Sequence, residues 1–344
     1  MKQALLNLMC NTGVFGLFRL INRGSAPILL YHRFSAGESS STTSANNFKR
    51  HLDYLTSRYR VVPLSLIAQR VTDGKELPAR AAAITIDDGY RDFYEIAFPI
   101  LRDYEIPATL FVVTDFIDRK TWLWPDKLMF AATRSSADFL RVTVGGLTVK
   151  ASLGDRASRL RVAAQINSVL KRISDDEKEA AIERIASSFG VQIPALPTEG
   201  FGPLTWEQIH ELSSAGVEIG SHTVSHPILT CVSVERLRLE LEQSRFRLEK
   251  ELARTVDLFC YPNGDYDERV IREVKRAGYR CAVTTELRLA GRRDRPLALG
   301  RVPAQPDLPR MAQHLCGLEA IKSRLRSISD RPSGNTDYED VQAT

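Results

Sequence analysis

Two adjacent carboxylates follow a short apolar run and could take part in catalysis or in metal binding. Asp87 and Asp88 come directly after the segment 81–86, and Gly89 permits a sharp turn behind them. Adjacent carboxylates repel each other, so a proton or a cation must neutralise one of them. A single aspartate at this point would be explained equally well as the N-cap of a helix, but a tandem pair favours a site that holds a cation.

Two histidines form the second candidate group. His222 and His226 follow the apolar segment 217–220 with the spacing His-x-x-x-His, which predicts two imidazoles on one side of a helical turn. Each alone could be a surface histidine or one satisfied by a hydrogen bond. Together with the aspartate pair they favour a divalent metal ion, because two imidazoles and one carboxylate leave an open position for water or substrate.

Apolar segments of four to six residues alternate with amphipathic helices over most of the chain. The predicted strands are 27–31, 81–86, 108–113, 217–220, 257–261, 279–284 and 297–302. This alternation predicts an α/β fold in which helices cover a parallel sheet, and six to eight such units favour a barrel. Catalytic residues of barrels lie at the carboxyl ends of the strands, which is where both candidate groups fall.

The alternation breaks after the third predicted strand. Residues 119–203 have the pattern of an α+β insertion, with a hairpin over 142–149 around Gly145-Gly146 and two helices after it. The barrel is expected to span 27–326, and the segment 327–344, rich in Ser, Asp, Pro and Gly, predicts a disordered tail.

Composition excludes several classes of protein. The chain has 344 residues, of which 43% are hydrophobic and 26% charged, as is ordinary for a globular protein. The net charge of +5 comes from scattered basic residues and gives no case for nucleic-acid binding. Five cysteines without close pairing argue against a disulfide framework and favour a reducing compartment.

Residues 1–26 predict an amphipathic helix. Its apolar positions are Leu5, Leu6, Met9, Val14, Leu17, Phe18 and Ile21. Polar residues interrupt the segment, so it is too short for a membrane span and lacks the unbroken core of a signal peptide. With Arg19 and Arg23 at its end, residues 1–23 suit docking on the domain or peripheral contact with a membrane. We therefore expect a cytoplasmic location or one on the inner membrane face, and secretion is disfavoured.

A third motif, Tyr261-Pro262-Asn263-Gly264, follows the fifth predicted strand. The aspartate motif, the histidine motif and this Tyr-Pro-x-Gly motif, in this order, resemble the polysaccharide deacetylase family, also called carbohydrate esterase family 4 or the chitooligosaccharide deacetylase homology domain. The resemblance covers about residues 27–303 apart from the insertion. It implies a distorted (β/α) barrel of about seven parallel strands.

The resemblance also implies roles for individual residues. Asp87 matches the catalytic base, and Asp88, His222 and His226 match the ligands of one divalent metal ion, which is usually zinc in this family. The ion and the base activate water to attack an acetamide carbonyl, releasing acetate and a free amine. The backbone N–H of Tyr261 is expected to help hold the oxyanion.

Two positions depart from the family pattern. Cys260 stands where other members carry an arginine that orients the base, and the segment 297–301 lacks the histidine that protonates the leaving amine. We expect Arg301 to orient Asp87 instead, and His32, at the end of the first predicted strand, to supply the proton. Both could also be structural, with His32 bonding a loop and Arg301 pairing with another acid.

The insertion begins with Trp122 and Trp124, which could form a wall for sugar stacking or could anchor the insertion to the barrel. The function expected from the sequence is removal of N-acetyl groups from an N-acetylated polysaccharide, oligosaccharide or lipid-linked glycan. Two alternatives remain open at this stage: an amide or cyclic-imide hydrolase of the same fold, and a glycan-binding module without catalysis.

Overall fold

The computed structural model describes residues 2–38 and 42–319. Seven parallel strands form a closed barrel: β1 (Ile28–Tyr31), β2 (Ala81–Ile86), β3 (Thr109–Val112), β4 (Glu218–Ser221), β5 (Leu258–Cys260), β6 (Cys281–Leu287) and β7 (Leu299–Pro303). Each strand pairs in parallel with the next along the chain, and β7 pairs with β1 to close the ring. The predicted barrel of about seven strands is confirmed.

Helices cover the outside of this barrel and also form part of the chain between β3 and β4. They are α1 (Lys2–Asn11), α2 (Val14–Ile21), α3 (Ala45–Arg58), α4 (Leu64–Thr72), α5 (Phe98–Asp103), α6 (Thr114–Ile117), α7 (Trp124–Arg134), α8 (Arg156–Leu170), α9 (Asp175–Ser188), α10 (Trp206–Ser214), α11 (Val234–Leu252), α12 (Glu268–Arg276) and α13 (Leu308–Leu315). A π-helical turn over Phe93–Ala97 leads into α5, and 3₁₀ turns cover Glu199–Phe201, Leu229–Cys231 and Pro262–Gly264. A short strand, Arg60–Val61, adds to the edge of β2.

The chain between β3 and β4 has an apolar core of its own. The antiparallel hairpin Phe139–Val144 and Leu147–Ser152 turns at Gly145-Gly146, where φ is positive at both glycines. Helices α7, α8 and α9 pack against this hairpin around a buried cluster that includes Leu140 and Ile166. Ser174 caps α9 by accepting a hydrogen bond from the backbone N–H of Glu177.

The N-terminal segment forms two helices where the sequence predicts one. Gly13, with φ of 76°, separates α1 from α2 because this left-handed conformation cannot continue a helix. No helix in the described ranges is both long and apolar enough to cross a bilayer. The predicted tail 327–344, and the last residues of the helical region expected up to 326, lie outside the described residues.

Candidate active site

The aspartate pair lies where β2 leaves the barrel. Asp88 and Gly89 both have left-handed backbone conformations, with φ of 76° and 90°, so the chain turns sharply behind the strand. A Cβ at Gly89 would lie 3.0 Å from the Ile117 side chain, which adds a steric reason for glycine. The turn leaves Asp87 and Asp88 both more than nine-tenths buried at the carboxyl edge of the barrel.

A buried arginine neutralises the first of these carboxylates. The Arg301 guanidinium, which has no exposed surface, donates from Nη1 to Asp87 Oδ1 and from Nη2 to Asp87 Oδ2, both at 2.7 Å. Further donation from Arg301 to the Thr284 carbonyl and to Thr85 Oγ1 fixes the plane of the guanidinium. Burial alone would raise the pKa of Asp87, but the paired guanidinium outweighs it and holds the pKa well below its ordinary value. Asp87 is therefore a fixed anion.

Cys260, at the end of β5, also faces this carboxylate. Its Sγ lies 3.3 Å from Asp87 Oδ2 and 3.2 Å from Arg301 Nη2. Burial raises the pKa of this thiol, so it remains protonated and donates to the carboxylate. The position where the resemblance predicts an arginine thus holds a neutral side chain, and the cation arrives from β7.

The histidine motif is a loop, so the expected helical turn is wrong. Thr223 and His226 have positive φ of 72° and 64°, which excludes a right-handed helix between the two histidines. The loop is held from the side by Glu240 of α11, which is buried and accepts hydrogen bonds from the N–H groups of Val224 and Ser225 at 2.8 and 2.9 Å. Nothing in the sequence near the motif identifies Glu240, because this residue lies on a different element, α11.

The loop brings both histidines against the second carboxylate. His222 Nε2 and His226 Nε2 lie 3.5 and 3.6 Å from Asp88 Oδ1. The other ring nitrogen of His222 donates to the Cys260 carbonyl at 2.8 Å, which directs Nε2 toward Asp88. Burial, together with the neighbouring His222, lowers the pKa of His226 to about 3, so this imidazole is neutral.

These three side chains fit a divalent cation. Their ligand atoms all lie within 4.8 Å of one another, and separations near 3.5 Å are those expected between ligands of one small ion held at about 2.0–2.2 Å. The backbone carbonyl that orients His222 is a typical outer partner of a metal-binding imidazole. Asp87, His222 and Cys260 form a second possible triad, but both oxygens of Asp87 are bonded to Arg301 and the thiol is protonated, so Asp88, His222 and His226 fit an ion better.

His32 follows β1 on the same edge of the barrel. Its Nε2 lies 3.9 Å from Asp87 Oδ2, and about half of its side chain is exposed. It therefore borders the buried carboxylate on one side and solvent on the other, as a group that exchanges protons with a substrate must. The remaining histidines in the chain, His51, His210 and His314, lie on helices α3, α10 and α13.

Three of the residues expected to contact substrate are placed differently by the structure. The N–H of Tyr261 donates to the Val283 carbonyl at 3.2 Å as part of the pairing between β5 and β6, so it is not free to hold an oxyanion. Trp122 and Trp124 are 3% and 4% exposed and present no ring face to a sugar. Trp122 packs against Phe130 and Phe201, as the anchoring alternative predicts.

A polar cluster joins the insertion to the active-site edge. Arg33, next to His32, donates to Asp92 at 2.6 Å and lies 4.1 Å above the ring of Tyr90. The Tyr90 hydroxyl donates to Asp126 of α7 at 2.7 Å. Burial raises the pKa of Asp126 to about 7 in spite of the opposing effect of Arg33. Sequence reasoning missed this cluster, since its members come from three separate elements.

Known proteins share both the sequence pattern and the fold. The family model for polysaccharide deacetylase matches residues 74–282. The polysaccharide deacetylase homologue YxkH of Bacillus subtilis is 22% identical over 82% of this chain and 72% of its own length. The poly-beta-1,6-N-acetyl-D-glucosamine N-deacetylase of Escherichia coli K12 is 25% identical over 67% of this chain, but the match spans only 29% of that larger protein.

Solved structures agree in fold. The Streptococcus pyogenes deacetylase PplD, in complex with acetate, aligns with a TM-score of 0.57 at 19% identity, covering 85% of this chain and 98% of PplD. IcaB from Ammonifex degensii aligns with a TM-score of 0.55 at 20% identity, covering 85% of this chain and 97% of IcaB. At these identities the structural likeness shows the fold alone. The match of the family model over more than half of the chain shows that this protein belongs to the polysaccharide deacetylase family and is a hydrolase of the class that acts on carbon–nitrogen bonds other than peptide bonds.

Proposed function

We propose that this chain is a metal-dependent N-deacetylase acting on an N-acetylated glycan. The observation that carries the proposal is that two adjacent carboxylates at one edge of the barrel have different partners. Asp87 is bonded to Arg301 and is held as an anion, whereas Asp88 faces two imidazoles whose Nε2 atoms point at it. The first arrangement suits a base and the second suits a ligand. The E. coli relative supports a polymer of N-acetylhexosamine as the substrate class.

The reaction needs three separate contributions. A divalent ion bound by Asp88, His222 and His226 would polarise the acetamide carbonyl and stabilise the charge that develops on its oxygen. Asp87 accepts the proton of the attacking water. Its low pKa makes it a weak base, but Arg301 guarantees that the carboxylate is ionised and fixes its direction.

The third contribution is a proton for the leaving amine. An amide anion is far too basic to depart, so the nitrogen must be protonated as the C–N bond breaks. His32 is the histidine that borders both Asp87 and solvent, and we assign it this role. The resulting products are acetate and a glycan with a free amine.

The experiment that tests the proposal measures acetate release from N-acetylglucosamine oligomers, with and without a chelator. We expect release that the chelator abolishes and that added Zn²⁺ or another divalent ion restores. No release from any N-acetylated oligomer would refute the proposal. Release from ureides or cyclic imides alone would select the other hydrolase activity of this fold.

A second substrate separates the two proton-transfer roles. 4-Nitrophenyl acetate has a leaving group that departs without a proton, so it needs the base and not the acid. His32→Gln should lose most of the kcat for N-acetyl oligomers, by about 10²–10⁴-fold, yet retain most of its esterase activity. Asp87→Asn should lose both. His210→Gln, which changes a histidine of similar exposure on α10, is the matched control and should lose neither. Equal losses of His32→Gln on both substrates would remove His32 from the role of acid.

A further inference from the structure

The second N-terminal helix is apolar around much of its circumference, and part of this apolar surface is exposed in the described structure. Phe15 is buried against the barrel and Phe18 packs beside it. Val14, Leu17 and Ile21, at i, i+3 and i+7 spacing, lie on the adjoining side of the helix, and Leu17 and Ile21 are both 60% exposed. Five of the eleven exposed large apolar side chains among the described residues lie on α1 and α2: Leu8, Val14, Leu17, Leu20 and Ile21. Such a concentration marks an interaction surface.

A cavity of about 350 Å³ opens next to this stripe. Its apolar lining comes from Leu20 of α2 and from Pro27, Tyr59, Leu289 and Leu315. The basic lining comes from four arginines, Arg19, Arg23, Arg58 and Arg80. A cavity of this kind offers an apolar interior with guanidinium groups around it, which suits an amphiphile with an anionic head.

The charge of these four arginines is not balanced by the residues that line the cavity, none of which is an aspartate or a glutamate. Arg19 donates to the Tyr54 hydroxyl, and Arg58 lies 4.3 Å from the centre of the Tyr54 ring, so both are held by neutral partners. Glu76, a carboxylate of the neighbouring cavity, is paired with Arg292 at 3.0 Å. Guanidinium groups bind phosphate through paired hydrogen bonds, and a phosphate would balance this charge.

The cavity lies at the end of the barrel opposite the active site. Pro27 and Arg80 directly precede β1 and β2, whereas His32 and Asp87 directly follow the same strands. Six residues of β2 separate the two ends, which corresponds to roughly 20 Å. A partner bound at the cavity end would therefore leave the catalytic edge open.

We propose that this end of the barrel docks on an anionic phospholipid bilayer. The exposed stripe of α2 enters the headgroup region, and the arginine-lined cavity takes the phosphate of one anionic lipid. Basic side chains beside an apolar helix face are the arrangement by which proteins bind bilayer surfaces without spanning them. Docking in this orientation directs the active site away from the bilayer, toward glycan that extends from the surface. The proposal adds a lipid site and an orientation to the membrane contact expected from the sequence.

Vesicle flotation of the full chain tests this proposal. The probes are vesicles of phosphatidylcholine alone and of phosphatidylcholine with about one third phosphatidylglycerol, and we expect the protein to bind the anionic vesicles much more strongly. The variant Arg23→Gln/Arg80→Gln should weaken that binding roughly 25-fold, since each basic side chain at an anionic surface contributes about fivefold. Leu17→Ser/Ile21→Ser should weaken binding to both kinds of vesicle.

Matched controls come from the insertion. Arg141→Gln/Arg172→Gln removes two exposed arginines of the insertion. Phe139→Ser/Leu147→Ser removes two exposed apolar side chains of its hairpin. These controls should bind anionic vesicles like the native protein. Thermal unfolding midpoints equal to that of the native chain establish that all four variants are folded.

Three results would overturn the proposal. One is the absence of binding to anionic vesicles by the native chain. Another is a loss of binding in the insertion variants equal to that in the α2 and cavity variants. The third is binding of inorganic phosphate to the cavity by a protein that does not associate with vesicles. This result would show a site for a soluble anion and no docking surface.

Discussion

Arg301→Met should lower the free energy of unfolding more than the same substitution at a surface arginine, because it leaves the carboxylate of Asp87 buried without its cation. Arg301 is 0% exposed and Asp87 2%, and the two share a pair of 2.7 Å hydrogen bonds. Removal of one partner from a buried ion pair destabilises proteins by about 3–5 kcal/mol. We therefore expect the free energy of unfolding, measured in urea by tryptophan fluorescence, to fall by about that amount.

Arg295→Met provides the matched control. Arg295 donates to both oxygens of Glu268 at 2.5 and 3.0 Å, but both side chains are more than half exposed. A solvent-exposed pair of this kind contributes about 0–1 kcal/mol. The two variants remove bidentate pairs of similar geometry that differ in burial, and Arg301→Met also removes the buried hydrogen bonds to Thr284 and Thr85. A loss in Arg301→Met no larger than in Arg295→Met would refute the reasoning.

The contribution of Asp87 to the pH dependence of the free energy of unfolding should also change sign in Arg301→Met. In the native protein the pKa of Asp87 lies below its ordinary value, so the pair stabilises the fold above about pH 4 and this contribution is lost as the pH falls through the lowered pKa. Without Arg301, burial raises the pKa above the ordinary value, and the same group then destabilises the fold as the pH rises. Adding Asp87→Asn should restore part of the lost stability, because no uncompensated charge remains.

Three further predictions concern other parts of the molecule. His222→Ala should abolish stoichiometric divalent metal in elemental analysis, whereas His210→Ala should not; full metal content in His222→Ala would contradict the ligand assignment. Asp126→Asn should leave the free energy of unfolding nearly unchanged at pH 4 and raise it at pH 8 by up to about 4 kcal/mol. The reason is that a buried carboxyl whose pKa is raised to about 7 destabilises the fold as the pH climbs from 4 to 7, whereas the amide stays neutral and still accepts from Tyr90. Calorimetry that shows no gain at pH 8 would exclude this. Cell fractionation should find the unprocessed chain with the inner membrane or the cytoplasm, and a processed periplasmic product would show that residues 1–23 are a signal.

The barrel could be predicted because its strands are buried on both faces. Such strands are continuous apolar runs, and the run 81–86 became β2 with the same bounds. The two-residue strand Arg60–Val61 carries too little sequence to be distinguished from a loop. Length and burial of an element, more than its position, determined whether the sequence revealed it.

The candidate site was predictable in residue type and less so in conformation. Asp87, Asp88 and the two histidines meet at one edge because parallel strands all end there. The spacing His-x-x-x-His does not distinguish a helical turn from a loop, and the buried carboxylate of Glu240 selects the loop by accepting its N–H groups. The tryptophans illustrate the reverse problem: aromatic side chains near a strand end have the same sequence signature whether they face a sugar or a core.

Arg301 and Cys260 show that comparing this sequence with the family motif one position at a time can overlook a functional group that is supplied by another strand. The absence of an arginine at position 260 suggests that Asp87 lacks the cation that orients it. Asp87 nevertheless accepts two hydrogen bonds from a guanidinium, that of Arg301, which lies on β7 instead of β5. Cys260 Sγ lies 3.2 Å from Arg301 Nη2, so a longer, charged side chain at position 260 would compete with Arg301 for the same buried space. What the proposed chemistry requires is a fixed cation beside an ionised carboxylate, and in this chain β7 supplies it. Arg301 therefore holds Asp87 as an anion, which the proposed role of base requires, and the small residue at 260 leaves room for the guanidinium.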